Sequence, residues 1–200
     1  MKKRIVYLFS VVLFEALLIS VADSSICVFS KKVSNENQRN ASIDTMINND
    51  MKYFPIPLSY YDEVTFEDTY GAYRTNGGHE GCDIFDNQNV AGRIPVISAT
   101  SGVVTNIGWL YLGGYRIGIT SDDGMYYYYA HLHSYAGNIK MGDKICAGQL
   151  IGFMGDSGEG EEGTTGKFPV HLHFGIYEKV TSDSEKTVNP YPYLRGLYSR

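Results

Sequence analysis

The chain has 200 residues, enough for one packed domain with extensions. A hydrophobic fraction of 44% supports a core, and 22 glycines with 17 tyrosines favour a turn-rich β protein. The formal net charge of −5 leaves no basic surface of the kind that nucleic-acid binding requires, so no nucleic-acid partner is expected.

The chain opens on Met1-Lys2-Lys3-Arg4, then an apolar run from Ile5 to Val21 and the small residues Ser20-Val21-Ala22. This pattern predicts an export signal over 1–22, either cleaved or kept as a membrane anchor through residues 5–21. The run is at the short limit for a bilayer span and is interrupted by Glu15. Cys27 follows no lipobox. Without residues 1–22 the chain carries 14 basic and 21 acidic residues, a net −7 that gives no attraction to anionic membranes or wall polymers.

From Asp23 to about Asp50 the sequence is rich in Ser, Asn, Lys and Asp without periodicity, which predicts a disordered polar linker over 23–50. Apolar residues return from Met51 to Tyr70, with Pro55 and Pro57 among them, and the folded domain is placed at 51–200. Next comes Gly77-Gly78-His79-Glu80-Gly81-Cys82-Asp83-Ile84. His79 and Asp83 are four apart, but the glycines argue against a helix and for a turn into a strand near Asp83. Taken alone, this motif is equally a polar loop with a solvated aspartate.

Ile94–Thr105, Tyr115–Thr120, Met125–His131, Gln149–Met154 and His171–Tyr177 read as strands. No segment after residue 70 shows a capped helical period, so the fold class is all-β. Cys82 and Cys146 sit among apolar residues and glycines, and no Cys-x-x-Cys occurs; both are expected to pack as small hydrophobes. Tyr129-Ala130-His131-Leu132-His133 places His131 near a strand end before a turn at 134–138. The acidic, Gly-rich stretch Gly155–Gly166 reads as a mobile rim leading into the next strand.

That strand is Val170-His171-Leu172-His173-Phe174-Gly175-Ile176-Tyr177. Strand side chains alternate, so His171 and His173 share one face while Leu172, Phe174 and Ile176 enter the core. Two adjacent imidazoles suit a metal site in which one ligates and its neighbour handles protons. All five histidines of the chain (79, 131, 133, 171 and 173) fall in these three motifs, which argues for a single mononuclear site.

In this order the three motifs resemble the LytM/lysostaphin-type zinc metallopeptidases, peptidoglycan hydrolases with a duplicated hybrid motif fold. The resemblance runs from about Arg74 to Leu194. It takes in Pro95–Val104 as a strand–turn–strand, Met141–Gly152, and the closing Val188-Asn189-Pro190-Tyr191-Pro192-Tyr193-Leu194. It implies an antiparallel β-sheet or β-sandwich core and one Zn2+ per domain. It makes His79, Asp83 and His173 the ligands and leaves His131 and His171 as unligated catalytic histidines. Three protein ligands leave the fourth position for water, whose pKa zinc lowers toward about 7. One free histidine would then take the proton and the other would stabilise the oxyanion, with His171 favoured as base. His133 has no place in the pattern and is read as a rim residue.

The expected function is a monomeric zinc metalloendopeptidase that cuts cross-links or stem peptides of peptidoglycan, outside the cell or at its wall. The alternative is a non-catalytic scaffold or activator domain, though such relatives usually lack ligands and none is missing here. Met141–Gly152 also resembles the hairpins of biotinyl and lipoyl carriers, but no lysine stands at a hairpin tip. The chain departs from the family in its longer, more acidic 155–166 loop, in Lys167-Phe168-Pro169-Val170, and in Gly175 where glutamate is common. These departures bear on substrate preference.

Overall fold

Short β-prone runs broken by glycine turns become twelve strands in the computed structural model, which describes residues 32–74, 77–181 and 184–199. They are β1 Val64–Phe66, β2 Tyr73–Arg74, β3 Gly77–Gly78, β4 Cys82–Asp86, β5 Pro95–Ile97, β6 Gly102–Leu110, β7 Gly114–Thr120, β8 Met125–Tyr135, β9 Lys144–Ile145, β10 Leu150–Met154, β11 His171–Thr181 and β12 Ser184–Val188. Ten form one antiparallel sheet with the path β1-β4-β11-β8-β7-β6-β9. Strand β12 lies beside β11, and β10 joins β5 to β8. Strands β2 and β3 make a separate two-stranded ribbon. The antiparallel β architecture expected from the sequence is therefore present.

Alternation divides this sheet into two chemistries. Ile117 and Ile119 on β7 face Tyr129 and Tyr127 on β8, and Leu172, Phe174 and Ile176 follow on β11; all are buried. The intervening residues, among them Arg116, Tyr126, Tyr128, His173 and Tyr177, turn to the other face and line a groove. The run Tyr126-Tyr127-Tyr128-Tyr129 thus serves core and groove in turn.

Two units are distinguished, residues 1–44 and 45–200. Residues 32–50 form helix α1, where the sequence reading had a disordered polar linker over 23–50. The signal it overlooked is Ile43, Ile47 and Met51 at four-residue spacing in a polar background; Ile47 and Met51 are buried. Tyr127 Oη donates to Asp50 Oδ2 at 3.0 Å, which ties the end of α1 to β8. The export segment 1–22, including the candidate anchor 5–21, and Cys27 lie outside the described residues. Among the described residues no helix is long and apolar enough to cross a membrane.

A second helix, α2 (Tyr191–Tyr198), corrects the expectation of no helix after residue 70. It is a single short amphipathic stretch with buried Leu194 and prolines at its start, too brief to show a period. Asn189 Oδ1 accepts from Tyr191 N at 2.9 Å. Tyr198 closes an aromatic cluster with Phe54, Tyr61 and Phe66, joining the two ends of the second unit.

The predicted strand Ile94–Thr105 is two strands, β5 and β6, separated at Ser98–Ser101, where Ser98 Oγ donates to Thr100 O. Strand β8 runs on to Tyr135, past the expected end at His131. It does so through an irregularity: His131 has φ 60°, and the β7–β8 register shifts opposite it. Cys82 is buried and unpaired, its thiol pushed up to about 12 by burial. Cys146 is exposed rather than packed, because it lies in the turn between β9 and β10.

Candidate functional site

Register brings the distant motifs together. On β11, His173 stands directly opposite Asp83 of β4 on one side and Ala130 of β8 on the other. His79 arrives from the turn between β3 and β4 that the glycines predict. His79 Nε2, His173 Nδ1 and Asp83 Oδ1 then converge. The separations are 2.9 Å between the two imidazoles, and 3.0 and 3.1 Å from Asp83 Oδ1 to His173 and His79.

The backbone fixes which ring atoms face inward. His79 Nδ1 lies 2.8 Å from Thr69 O, His131 Nδ1 2.8 Å from Ser157 O, and His171 Nδ1 2.8 Å from Pro169 O. A carbonyl oxygen accepts only, so each of these nitrogens carries the hydrogen and each Nε2 presents a lone pair. His173 is reversed and offers Nδ1. Its other edge lies against Gly81, where a Cβ would stand 2.6 Å from His173 Cε1 and 2.7 Å from Nε2.

Three electron-rich atoms therefore meet with at most one hydrogen, on His173, to separate them. A divalent cation relieves that crowding, and this group is the one whose donor atoms could hold a metal among the described residues. Ligands on a tetrahedral zinc stand about 3.3 Å apart for bonds of about 2.0 Å, a few tenths beyond the separations here. Two imidazoles and a carboxylate form a donor set that zinc accepts. Arg74 Nη2 donates to Asp83 Oδ2 at 2.6 Å, which occupies the second carboxylate oxygen and leaves Oδ1 for the cluster. Burial alone would raise the Asp83 carboxyl, but the imidazoles around it, His173 foremost, then His79 and His171, outweigh burial and hold it well below the usual range.

His131 and His171 complete the site without joining the cluster. Their ring centroids are 4.6 Å apart. His171 Nε2 is buried without a hydrogen-bond partner and lies 3.7 Å from Asp83 Oδ1. Burial and the neighbouring histidines push His131 down to about 3. Burial also lowers His171, against the opposing charge of Asp83. Both rings are thus neutral near pH 7, each with a basic Nε2. Phe168 presents its ring edge-on to both, with centroids 4.5 Å from His131 and 5.1 Å from His171.

The 155–166 stretch is anchored where the sequence reading had a mobile rim. Ser157 is buried; its Oγ donates to Leu132 O at 2.7 Å and accepts from Tyr115 N at 3.0 Å. Trp109 Nε1 donates to Gly160 O, and Gly158 N to Thr164 O. His133 is exposed and packs toward Gly92, away from the site, because the positive φ at His131 breaks the alternation that would have aligned the two. Sequence reasoning found all five residues brought together here. It missed Arg74, Thr69, Ser157, Pro169 and Phe168, which steer them, and of these only Phe168 and Pro169 fell in a stretch that stood out as unusual.

Beside the cluster runs a groove of about 570 Å3, walled by the β2–β3 ribbon, the β6–β7 turn and Glu159 and floored by the sheet. The sequence model of peptidase family M23 matches residues 77–190. The chain belongs to peptidase family M23. The L-Ala–D-Glu endopeptidase of Bacillus subtilis (strain 168) is 43% identical over 72% of this chain and 43% of its own length. Lysostaphin of Staphylococcus staphylolyticus is 38% identical over 64% of this chain and 25% of its own. The chain thus spans less than half the length of either relative. A crystal structure of a candidate glycyl-glycine endopeptidase, lytM, from Ruminococcus gnavus is 48% identical and superposes with a TM-score of 0.71, covering 84% of this chain and 71% of that one. The fold is accordingly that of the LytM-type endopeptidases.

Proposed function

We propose that the chain is a zinc-dependent endopeptidase that hydrolyses peptide bonds of bacterial peptidoglycan outside the cytoplasmic membrane. The observation that carries this reading is the convergence of His79 Nε2, Asp83 Oδ1 and His173 Nδ1 beside two neutral histidines in an open groove. A zinc ion held by those three atoms would supply a water of lowered pKa and an electrophile for the peptide carbonyl.

The chain's own residues do the rest. His171 serves as general base: its Nε2 carries a lone pair, has no other partner, and faces the cluster. His131 accepts at Nε2 in its neutral form and becomes a donor there once it holds a proton. It can then bind the developing oxyanion or pass the proton to the leaving amine. Thr69, Ser157 and Pro169 hold their rings through backbone carbonyls, and Phe168 keeps water from the shared edge of His131 and His171.

By their names, relatives and neighbours act on an L-Ala–D-Glu bond or a glycyl-glycine bond. The substrate proposed here is of the same class, a stem peptide or bridge of the wall. Residues 1–22 would export the chain or anchor it through residues 5–21, and it would act as a monomer. The complete donor set argues for this reading over a non-catalytic scaffold.

The test is digestion of purified muropeptides with mass-spectrometric detection of new amino termini. Chelation should abolish the products and zinc should restore them. His79→Ala and His173→Ala should each lose activity at least about a hundredfold. Full activity in either variant would overturn the proposal. A chain that binds zinc yet cuts no muropeptide would favour the scaffold.

A further inference from the structure

We infer that Arg116 binds a carboxylate of the substrate, so that the groove selects an acidic peptide over an oligoglycine. This rests on the proposed reading of the site as a peptide-hydrolysing centre and names the substrate class within it.

Arg116 lies on β7 and lines the same groove as His79, His131 and His173. Its position follows from register. Ile117 pairs with Tyr129 and Tyr115 with Leu132, so Arg116 faces Ala130 and His131 at the irregularity in β8. Ala130 in turn pairs with His173, and His173 with Asp83. Asp83, His173, Ala130 and Arg116 therefore stand in a row across four strands. Two strand spacings, about 10 Å, separate the backbone of Arg116 from that of His173. An extended peptide covers that distance in about three residues.

Arg116 is half-buried, and one nitrogen of its guanidinium is left unpaired. Its Nη1 is buried without a hydrogen-bond partner, which is costly for a charged donor unless something else meets it. Its nearest neighbours along β7 on this face, Gly114 and Gly118, carry no side chain. Tyr128 Oη lies over Gly113 and the Tyr126 ring over Gly118, so the two tyrosines flank Arg116. Glu80, Glu159 and Glu185 share the groove, but all are exposed and none bonds to Nη1. A planar cation with an unpaired Nη1, set between aromatic rings at peptide reach from the cluster, matches a carboxylate in geometry and charge. A glycine bridge offers no carboxylate there.

The experiment uses the full chain loaded with zinc and three peptides. These are L-alanyl-D-glutamyl-L-lysine with its glutamyl carboxylate free, the same peptide with that carboxylate as a primary amide, and pentaglycine. The acid should be cut with a kcat/KM at least about tenfold above the amide, with pentaglycine lowest. In Arg116→Gln the acid-to-amide ratio should fall to near one, and Arg116→Lys should retain part of it. Equal cleavage of acid and amide by the unaltered chain would overturn the inference, as would an unchanged ratio in Arg116→Gln. Calorimetric binding of the two alanyl peptides to His131→Ala and to the His131→Ala/Arg116→Gln double variant reads the same preference without turnover. If the unaltered chain cuts nothing, the hydrolase reading fails, and calorimetry still decides on Arg116: a preference for the acid that disappears in the double variant supports it, and equal binding refutes it.

Discussion

Gly81 shows how little room surrounds the candidate metal ligands. A methyl group there would meet His173 Cε1 at 2.6 Å and the fixed carbonyl of Phe174 at 2.6 Å, so the imidazole would have to move. Gly81→Ala is expected to weaken zinc affinity about 10- to 100-fold, the range seen when the supports of a metal ligand are disturbed. Competition against a chromogenic chelator would measure it, and an unchanged affinity would mean that His173 Nδ1 does not ligate. The histidines and Asp83 were legible in the sequence because residue types with metal and proton chemistry were gathered in three short motifs. Their supports were not. Thr69, Ser157 and Pro169 act through backbone carbonyls, which every residue possesses, and Arg74 acts from a ribbon of two-residue strands.

At the level of elements, the strand pattern was readable wherever apolar residues alternated or ran together. It failed where one residue changed the rules. The positive φ of His131 lets β8 continue while aiming that ring into the site and His133 out of it. Ser157 holds this arrangement by bonding to both β7 and β8. Ser157→Ala leaves a buried N–H and a buried carbonyl without partners, for a cost of about 1–3 kcal/mol. Melting should therefore occur several degrees lower, and kcat should fall more than KM changes, since the affected ring is the one proposed to handle protons rather than to bind. A variant with reduced melting temperature but unaltered kcat would separate Ser157 from His131. Helix α1 was hidden for a different reason: three apolar residues in a polar stretch are a thin signal, and the burial of Ile47 and Met51 rather than propensity supports that helix.

The molecule as a whole carries a buried polar cluster, and this sets its response to pH and metal. His131 sits at about 3 in the folded chain and near 6.5 when unfolded, so acid protonates the unfolded form first. Asp83, held well below its usual range, acts in the same direction. Without metal, the protein should lose stability as pH falls from about 6.5 toward 3, and His131→Gln should flatten the upper part of that slope. Circular dichroism melts across the range would test this; a flat profile in the unaltered chain would contradict it. At neutral pH, free zinc at 100 times its dissociation constant should add about 2.7 kcal/mol, a rise of about 5–10 °C in melting temperature. Beneath the cluster, the base of the groove is the hydrogen-bonded sheet itself, with β4, β11, β8 and β7 locked edge to edge. Such a base cannot bend to suit a new ligand without tearing ladder bonds. Adaptation to a different ligand must therefore come from the ribbon, the β6–β7 turn and the 155–166 stretch, where length and side chains can change while the clustered histidines and Asp83 keep their places.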